Sequence, residues 1–179
     1  ILAFVLVSVA LYHLMLFIKR TSDLENLFFA AACVLSALQS ANMGLPDDFP
    51  MGYLNKERFV MGGGPLIAPA FVMFFRYFFS LHSKPQKIFS IVYCSIIVVI
   101  SFYVMASPSL PEIRARYNIA LPTGAIALVY ILVAIGIGWK RKNPNAPLMA
   151  FSVAVLGALA IHDIVAALTV TRGGIYLFT

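Results

Sequence analysis

Charged side chains are scarce in this sequence. Asp, Glu, Lys and Arg make up 11% of its 179 residues, against about 25% in a typical soluble domain. Acidic residues are the rarer sign, with 7 Asp and Glu beside 13 Lys and Arg, and the mean hydropathy is +0.92. This composition excludes a soluble enzyme and a disordered chain, and it predicts an integral membrane protein whose main partner is the lipid bilayer.

Cysteine is almost absent as well. Cys33 and Cys94 are the only two, and each lies inside an apolar segment, where cysteine behaves as a small hydrophobic residue. We therefore expect no disulfide scaffold and no metal site. The formal charge of +6 does not indicate a nucleic-acid partner, because membrane proteins concentrate Lys and Arg in their cytoplasmic loops.

Long apolar runs make up most of the sequence. A helix needs about 20 apolar residues to cross the bilayer core, and six segments meet this requirement. The Gly62–Pro65 segment predicts an irregular outer end for the third of them, with its continuous helix starting near Pro65. We predict an all-α, polytopic membrane helix bundle with visible spans at 1–18, 26–43, 59–81, 88–106, 119–139 and 148–170.

Both ends of the sequence lie inside apolar runs. The first residue, Ile1, already belongs to the first span, and residues 175–179 start what we predict to be a seventh. We therefore expect a single transmembrane domain that is part of a longer polypeptide. The first run lacks a small-residue cleavage site and is followed directly by Lys19 and Arg20, which is typical of a spanning helix rather than a signal peptide.

The basic residues predict the orientation of the bundle. With six spans, connections one, three and five would carry more Lys and Arg than connections two, four and six, and the positive-inside rule assigns the richer set to the cytoplasm. The amino end is then predicted to face outside. The richer set comprises Lys19, Arg20, Arg76, Lys84, Lys87, Lys140, Arg141 and Lys142.

Polar side chains within the spans fall into two predicted layers. Ionisable groups at membrane depth are costly, so they are candidates for function. One layer lies about 7 to 8 Å from the inner face and the other about 20 to 24 Å from it, at 1.5 Å per helical residue. Alternatively, Arg76 extends to the inner headgroups and the other side chains only bond neighbouring helices. The ligand or relay candidates are His13 and Arg76 in the inner layer, and Gln39, Asn42, His162 and Asp163 in the outer one.

Small residues recur every four positions on the second and sixth spans. Such rows allow membrane helices to approach closely, so they predict two helix-packing faces. The rows are Ala32, Ser36 and Ser40 on the second span, and Ala150, Ala154 and Ala158 on the sixth.

The sequence gives little support for a cofactor site or for an enzyme active site. His13 and His162 are predicted to differ by roughly 12 Å in depth, too far apart to hold one haem, and no lysine lies deep enough to carry retinal. There is no nucleophile elbow, phosphate loop or zinc-type histidine pair. Asp163 is a single intramembrane aspartate where an aspartyl protease needs two. We expect no cofactor and no catalysis within this segment.

The order of aromatic and small residues adds a resemblance. It is carried by Leu11–Phe17, Leu27–Leu38, Phe74–Leu81 and Ala160–Ile164, and it runs across nearly the whole chain. In these features the sequence resembles the membrane region of bacterial seven-transmembrane receptors with diverse intracellular signalling modules.

The resemblance implies a function. It implies an extracytoplasmic sensor domain before Ile1, seven spans, and a cytoplasmic output domain such as a cyclase, kinase or phosphatase, in a bacterial inner membrane. A homodimer would be one way for such a receptor to assemble, and any catalysis would reside in the output domain. Two alternatives stay open: a small-solute transporter or channel that uses the polar layers as a path, and a membrane anchor whose helices only pack against partners.

Overall fold

The computed structural model describes residues 1–44 and 52–155, and every regular element in these ranges is helical. The helical prediction is therefore confirmed for the described part of the chain. The elements are α1 (Leu2–Lys19), α2 (Leu24–Met43), α3 (Tyr53–Gly63), a 3-10 turn (Gly64–Leu66), α4 (Ile67–Phe78), α5 (Lys84–Met105), α6 (Leu110–Lys140) and α7 (Ala146–Val155).

Five helical segments in the described ranges are long and apolar enough to cross a membrane. They are α1, α2, the continuous stretch from α3 to α4, α5 and α6. Of the predicted sixth span only α7 is described, and its remainder lies outside the described residues, as does the start of the predicted seventh. The count of six spans plus a seventh thus stays a prediction.

Two spans begin earlier than the apolar runs indicated. The third starts at Tyr53 rather than at 59, and the fifth at Leu110 rather than at 119. The reason is that apolar windows detect the part of a helix inside the hydrocarbon core, whereas a helix continues into the headgroup region with polar residues. Charged side chains such as Arg58 and Arg116, which the sequence placed in loops, therefore lie on helices.

The third span is interrupted in its middle rather than irregular at its end. Regular helix precedes the Gly64–Leu66 turn as well as following it, which corrects the prediction that the helix starts near Pro65. Proline lacks an N–H, so Pro65 cannot bond the carbonyl four residues earlier. The chain passes this point through a 3-10 turn and resumes α-helical geometry at Ile67.

The described helices divide between two compact units, residues 1–134 and a second unit that starts at Ile135. In the first unit α2 contacts α1, α3 and α4, while α5 contacts α3 and α4. Val72 of α4, Tyr93 and Ile97 of α5 and Ala127 of α6 form a buried core cluster. In the second unit, α6 ends where Lys142 adopts a left-handed conformation, and Ala146 at the start of α7 is buried.

Close contact between α3 and α5 depends on Gly62. A Cβ atom placed there would overlap the Met105 side chain, and it would lie 3.1 Å from the Ser101 carbonyl oxygen and 3.3 Å from the Met105 amide nitrogen. Because these last two atoms belong to the backbone of α5, α3 and α5 would have to separate to admit a side chain. At Gly124 of α6, by contrast, a Cβ atom would have no described atom within 4 Å.

We predict opposite effects for the same substitution at these glycines. Gly62→Ala should destabilise the detergent-solubilised protein by about 1 to 3 kcal/mol through overpacking, whereas Gly124→Ala should be neutral or stabilising by up to about 1 kcal/mol because alanine favours helix. Unfolding by heat or denaturing detergent measures both. Equal stability of the two variants would contradict the close packing at Gly62.

Candidate functional site

The interruption of the third span is bonded to α2 by one side chain. Gln39 Nε2 donates a hydrogen bond to the Val60 carbonyl oxygen over 2.8 Å. The same carbonyl accepts the N–H of Gly64, where α3 gives way to the 3-10 turn. A glutamine in an apolar helix thus finds its partner in the backbone of the neighbouring span, next to the break that proline introduces.

A cavity of about 380 Å³ adjoins this contact. Its volume falls in the usual range for small-molecule sites, which are mostly apolar with a few polar groups. Gln39 and Asn42, one helical turn apart, supply its side-chain amides, so the structure brings these two candidates together. The remaining lining is mostly apolar and consists of Leu35, Leu38, Phe59, Gly63, Leu66 and Met105.

His162 and Asp163, the other candidates of the outer layer, lie outside the described residues. Ala158 lies outside them as well. Within the described ranges no group of three or more His, Cys, Asp or Glu side chains is arranged to hold a metal ion. The cavity at Gln39 is therefore equipped for hydrogen bonding to a ligand and not for metal coordination by this part of the chain.

His13 and Arg76 lie beside two different groups of aromatic rings, and His13 contacts the larger one, which we call the aromatic cluster. The His13 ring lies 4.4 Å from Phe29, whose ring lies 5.1 Å from Phe74, and the Arg76 guanidinium lies 5.1 Å from the Tyr77 ring. The sequence hints at this cluster only through its local density of aromatic residues. The members of the aromatic cluster are Phe29, Phe74, Phe75, Phe78 and Phe79. The Tyr77 ring beside Arg76 instead stacks on Phe28.

His13 is bonded to α2. Its Nδ1 atom lies 2.9 Å from Asn26 Oδ1, and because a carbonyl oxygen can only accept, the proton of the ring must sit on Nδ1 in this contact. Asn26 stands in the first turn of α2, so the bond joins α1 to α2 near their connection. The histidine is thus engaged in helix packing at its Nδ1 side.

Arg76 is buried, with 5% of its surface exposed. Its Nη1 atom donates to Ser90 Oγ of α5 over 3.1 Å. The burial of Arg76 and its bond to Ser90 favour a role in joining α4 to α5. No Asp or Glu among residues 1–44 and 52–155 forms an ion pair with it.

Two arginines that were not among the candidates predicted from the sequence bond neighbouring helices. Arg58 of α3 donates from Nε to the Ser107 carbonyl oxygen over 2.8 Å, and Arg116 of α6 donates from Nη1 to the Tyr103 carbonyl oxygen over 2.9 Å. The Tyr103 carbonyl belongs to the last turn of α5, where a helix has no intrahelical donors left, and Ser107 lies just after the end of α5. The feature of the sequence that could have identified these two arginines is their position within a few helical turns of an apolar run.

The small-residue rows have mixed surroundings. Ala32 is fully buried on α2, whereas Ser36 and Ser40 are half-buried. The other buried positions of α2 are Ala30, Cys33 and Ala37. In the second unit, Ala150 is half-buried and Ala154 is exposed. The predicted packing face of the sixth span stays a prediction.

Comparison with known proteins decides the family. The family model for 7TM diverse intracellular signalling matches residues 1–179. The chain belongs to this 7TM signalling family. No curated protein and no solved structure matches it. The resemblance is thereby confirmed. This member of the 7TM signalling family is an integral membrane protein by its family and by the five apolar helices of its described residues.

We predict that Arg58 stabilises this 7TM domain through the end of α5. Arg58→Ala leaves the Ser107 carbonyl without its charged donor, which should lower the free energy of unfolding by about 1 to 3 kcal/mol. Arg114→Ala, at an exposed position on α6, is the matched control and should change it by less than about 0.5 kcal/mol. Thermal unfolding in detergent compares the two, and similar losses would count against the contact.

Proposed function

We propose that this chain is the signal-transducing membrane domain of a bacterial receptor, relaying an extracytoplasmic signal to a cytoplasmic output domain outside the chain. The family supports a role in signalling. The observation that carries the relay is the cavity beside Gln39 and Asn42 at the break in the third span. A site next to an interrupted helix gives the bundle a place where two packings can differ.

The proposed topology has the amino end outside a bacterial inner membrane. The uneven distribution of Lys and Arg over the connections supports this orientation. The cavity would then lie in the outer half of the bundle, and the aromatic cluster would lie near the cytoplasm. The proposed partners are a sensor domain and an output domain of the same polypeptide, and a second copy in a homodimer; catalysis would belong to the output domain alone.

The proposed mechanism is a shift of the third span between two packings. Gln39 ties α3 to α2, and Arg58 ties α3 to the end of α5. Since α3 continues through the 3-10 turn into α4, a displacement of α3 would be carried to the aromatic cluster. That cluster contacts α2 and, through His13, α1. The route crosses the membrane within a single span.

Gln39→Leu in the full-length receptor tests the relay. It removes the bond to Val60 while keeping an apolar side chain of similar size, and we expect basal output to change about 5-fold or more, in the range of a coupling free energy of about 1 to 3 kcal/mol. Output activity per inserted receptor in native membranes is the measurement.

Asn118→Leu is the matched control, because Asn118 is an exposed amide on α6. Its output should equal that of the wild type. Unchanged output in both variants would contradict the relay through Gln39 and would favour a membrane anchor.

A transporter or channel is the second candidate. It is favoured by a further cavity of about 450 Å³, which runs from the Gly64–Pro65 break to Thr123 and Gly124, beside the proline inside α6. Interrupted helices commonly form transport sites. Solute uptake into proteoliposomes containing the bundle would support transport, and uptake without any output signal would replace the receptor proposal.

A further inference from the structure

A second group of polar side chains, two of them buried and two half-buried, lies where α4, α5 and α6 meet. Arg76 belongs to α4, Ser90 and Cys94 to α5, and Tyr130 to α6. Arg76 bonds Ser90, and the Tyr130 ring stacks on Phe89, the residue next to Ser90, with ring centroids 5.1 Å apart. Cys94 lies one turn after Ser90 on α5, and both Cys94 and Tyr130 pack against the core cluster that contains Val72, one turn before Arg76 on α4. We call Arg76, Ser90, Cys94 and Tyr130 the Arg76 cluster.

The cluster has hydrogen-bond donors without acceptors. Arg76 Nε and Tyr130 Oη are both buried, and neither has a hydrogen-bond partner among the described residues. The guanidinium cannot lose its proton in a protein, so a fixed positive charge is held on a side chain that is buried within the protein. Buried polar atoms are nearly always paired in native structures. Both of these donors, which accompany one fixed positive charge, therefore need a hydrogen-bond acceptor.

No carboxylate in the described ranges forms an ion pair with the Arg76 guanidinium. Among the remaining acidic residues, Asp163 is the single one inside an apolar run. Its predicted depth lies roughly 15 Å further from the inner face than that of Arg76, at 1.5 Å per residue. The predicted depth therefore favours a partner other than Asp163 for the Arg76 guanidinium.

We propose that the Arg76 cluster binds one small monovalent anion of the chloride type. Such an ion accepts several hydrogen bonds and donates none, so it can take Arg76 Nε and the Tyr130 hydroxyl together while neutralising the guanidinium. The 5% exposure of Arg76 favours a free ion over a lipid phosphate, whose headgroup would need an open path. The site is separate from the Gln39 cavity and does not depend on the proposed relay.

The test compares anions at constant ionic strength. The purified full-length protein is titrated with potassium chloride in place of potassium gluconate, and its thermal unfolding is followed in detergent. We expect the unfolding temperature to rise with chloride and to saturate, as mass action requires for a bound ligand. Identical unfolding temperatures in chloride and gluconate would overturn the proposal, and would be the result if a water molecule occupied the cluster.

Variants locate the ion. Tyr130→Phe removes one hydroxyl at constant shape and should shift the midpoint of the chloride titration about tenfold or more, while Arg76→Gln should abolish the response. Arg114→Gln and Tyr53→Phe, at exposed positions, are the controls and should respond as the wild type does. If Arg76→Gln does not fold, the Tyr130→Phe titration decides.

A lipid source gives a different pattern. The titration is repeated after delipidation and after addition of phosphatidylglycerol. A chloride response that persists without lipid supports a free anion. Stabilisation by phosphatidylglycerol that requires Arg76, with no response to chloride, would overturn it, as would a full chloride response in Tyr130→Phe.

Discussion

Satisfaction of backbone hydrogen bonds in an apolar solvent is the constraint on which this structure depends. Hydrocarbon offers no donors or acceptors, so each carbonyl that a helix leaves open must be paired by the protein. The α-helix of the third span is interrupted by a 3-10 turn at Gly64–Leu66, and the side-chain amide of Gln39 lies beside this interruption. The Val60 carbonyl, which also accepts the Gly64 N–H, thus has a second donor next to the proline-containing turn.

The same constraint accounts for several other polar groups. Arg58 and Arg116 bond carbonyls at the carboxyl end of α5, and the Tyr93 hydroxyl donates to the Thr123 carbonyl next to Pro122 in α6. In each case a side chain from one helix supplies a donor where its neighbour ends or contains proline. These side chains all form hydrogen bonds. In the Arg76 cluster, by contrast, two donors have no hydrogen-bond acceptor within the described part of the chain.

Sequence patterns predicted the location of the described spans because hydrophobicity needs only local composition. They did not predict where those spans begin, since Tyr53 and Leu110 start helices through polar residues outside the hydrocarbon core. The depth argument grouped Gln39 with Asn42, and both line the same cavity. It could not find the bond from Gln39 to Val60 or that from His13 to Asn26, because these depend on how separate helices pack.

The interruption in the third span is stiff, and this bears on how a signal could pass. Proline fixes φ near −65°, and Pro65 in the turn and Pro69 in the first turn of α4 restrict the backbone on both sides of Leu66. A flexible hinge here would absorb a displacement of α3 locally. Two prolines instead favour movement of α3 and α4 as one body, so that a change beside Gln39 would reach the aromatic rings around Phe74. Under the proposed relay, the third span has a polar contact at the interruption and is still rigid enough to transmit a displacement across the membrane.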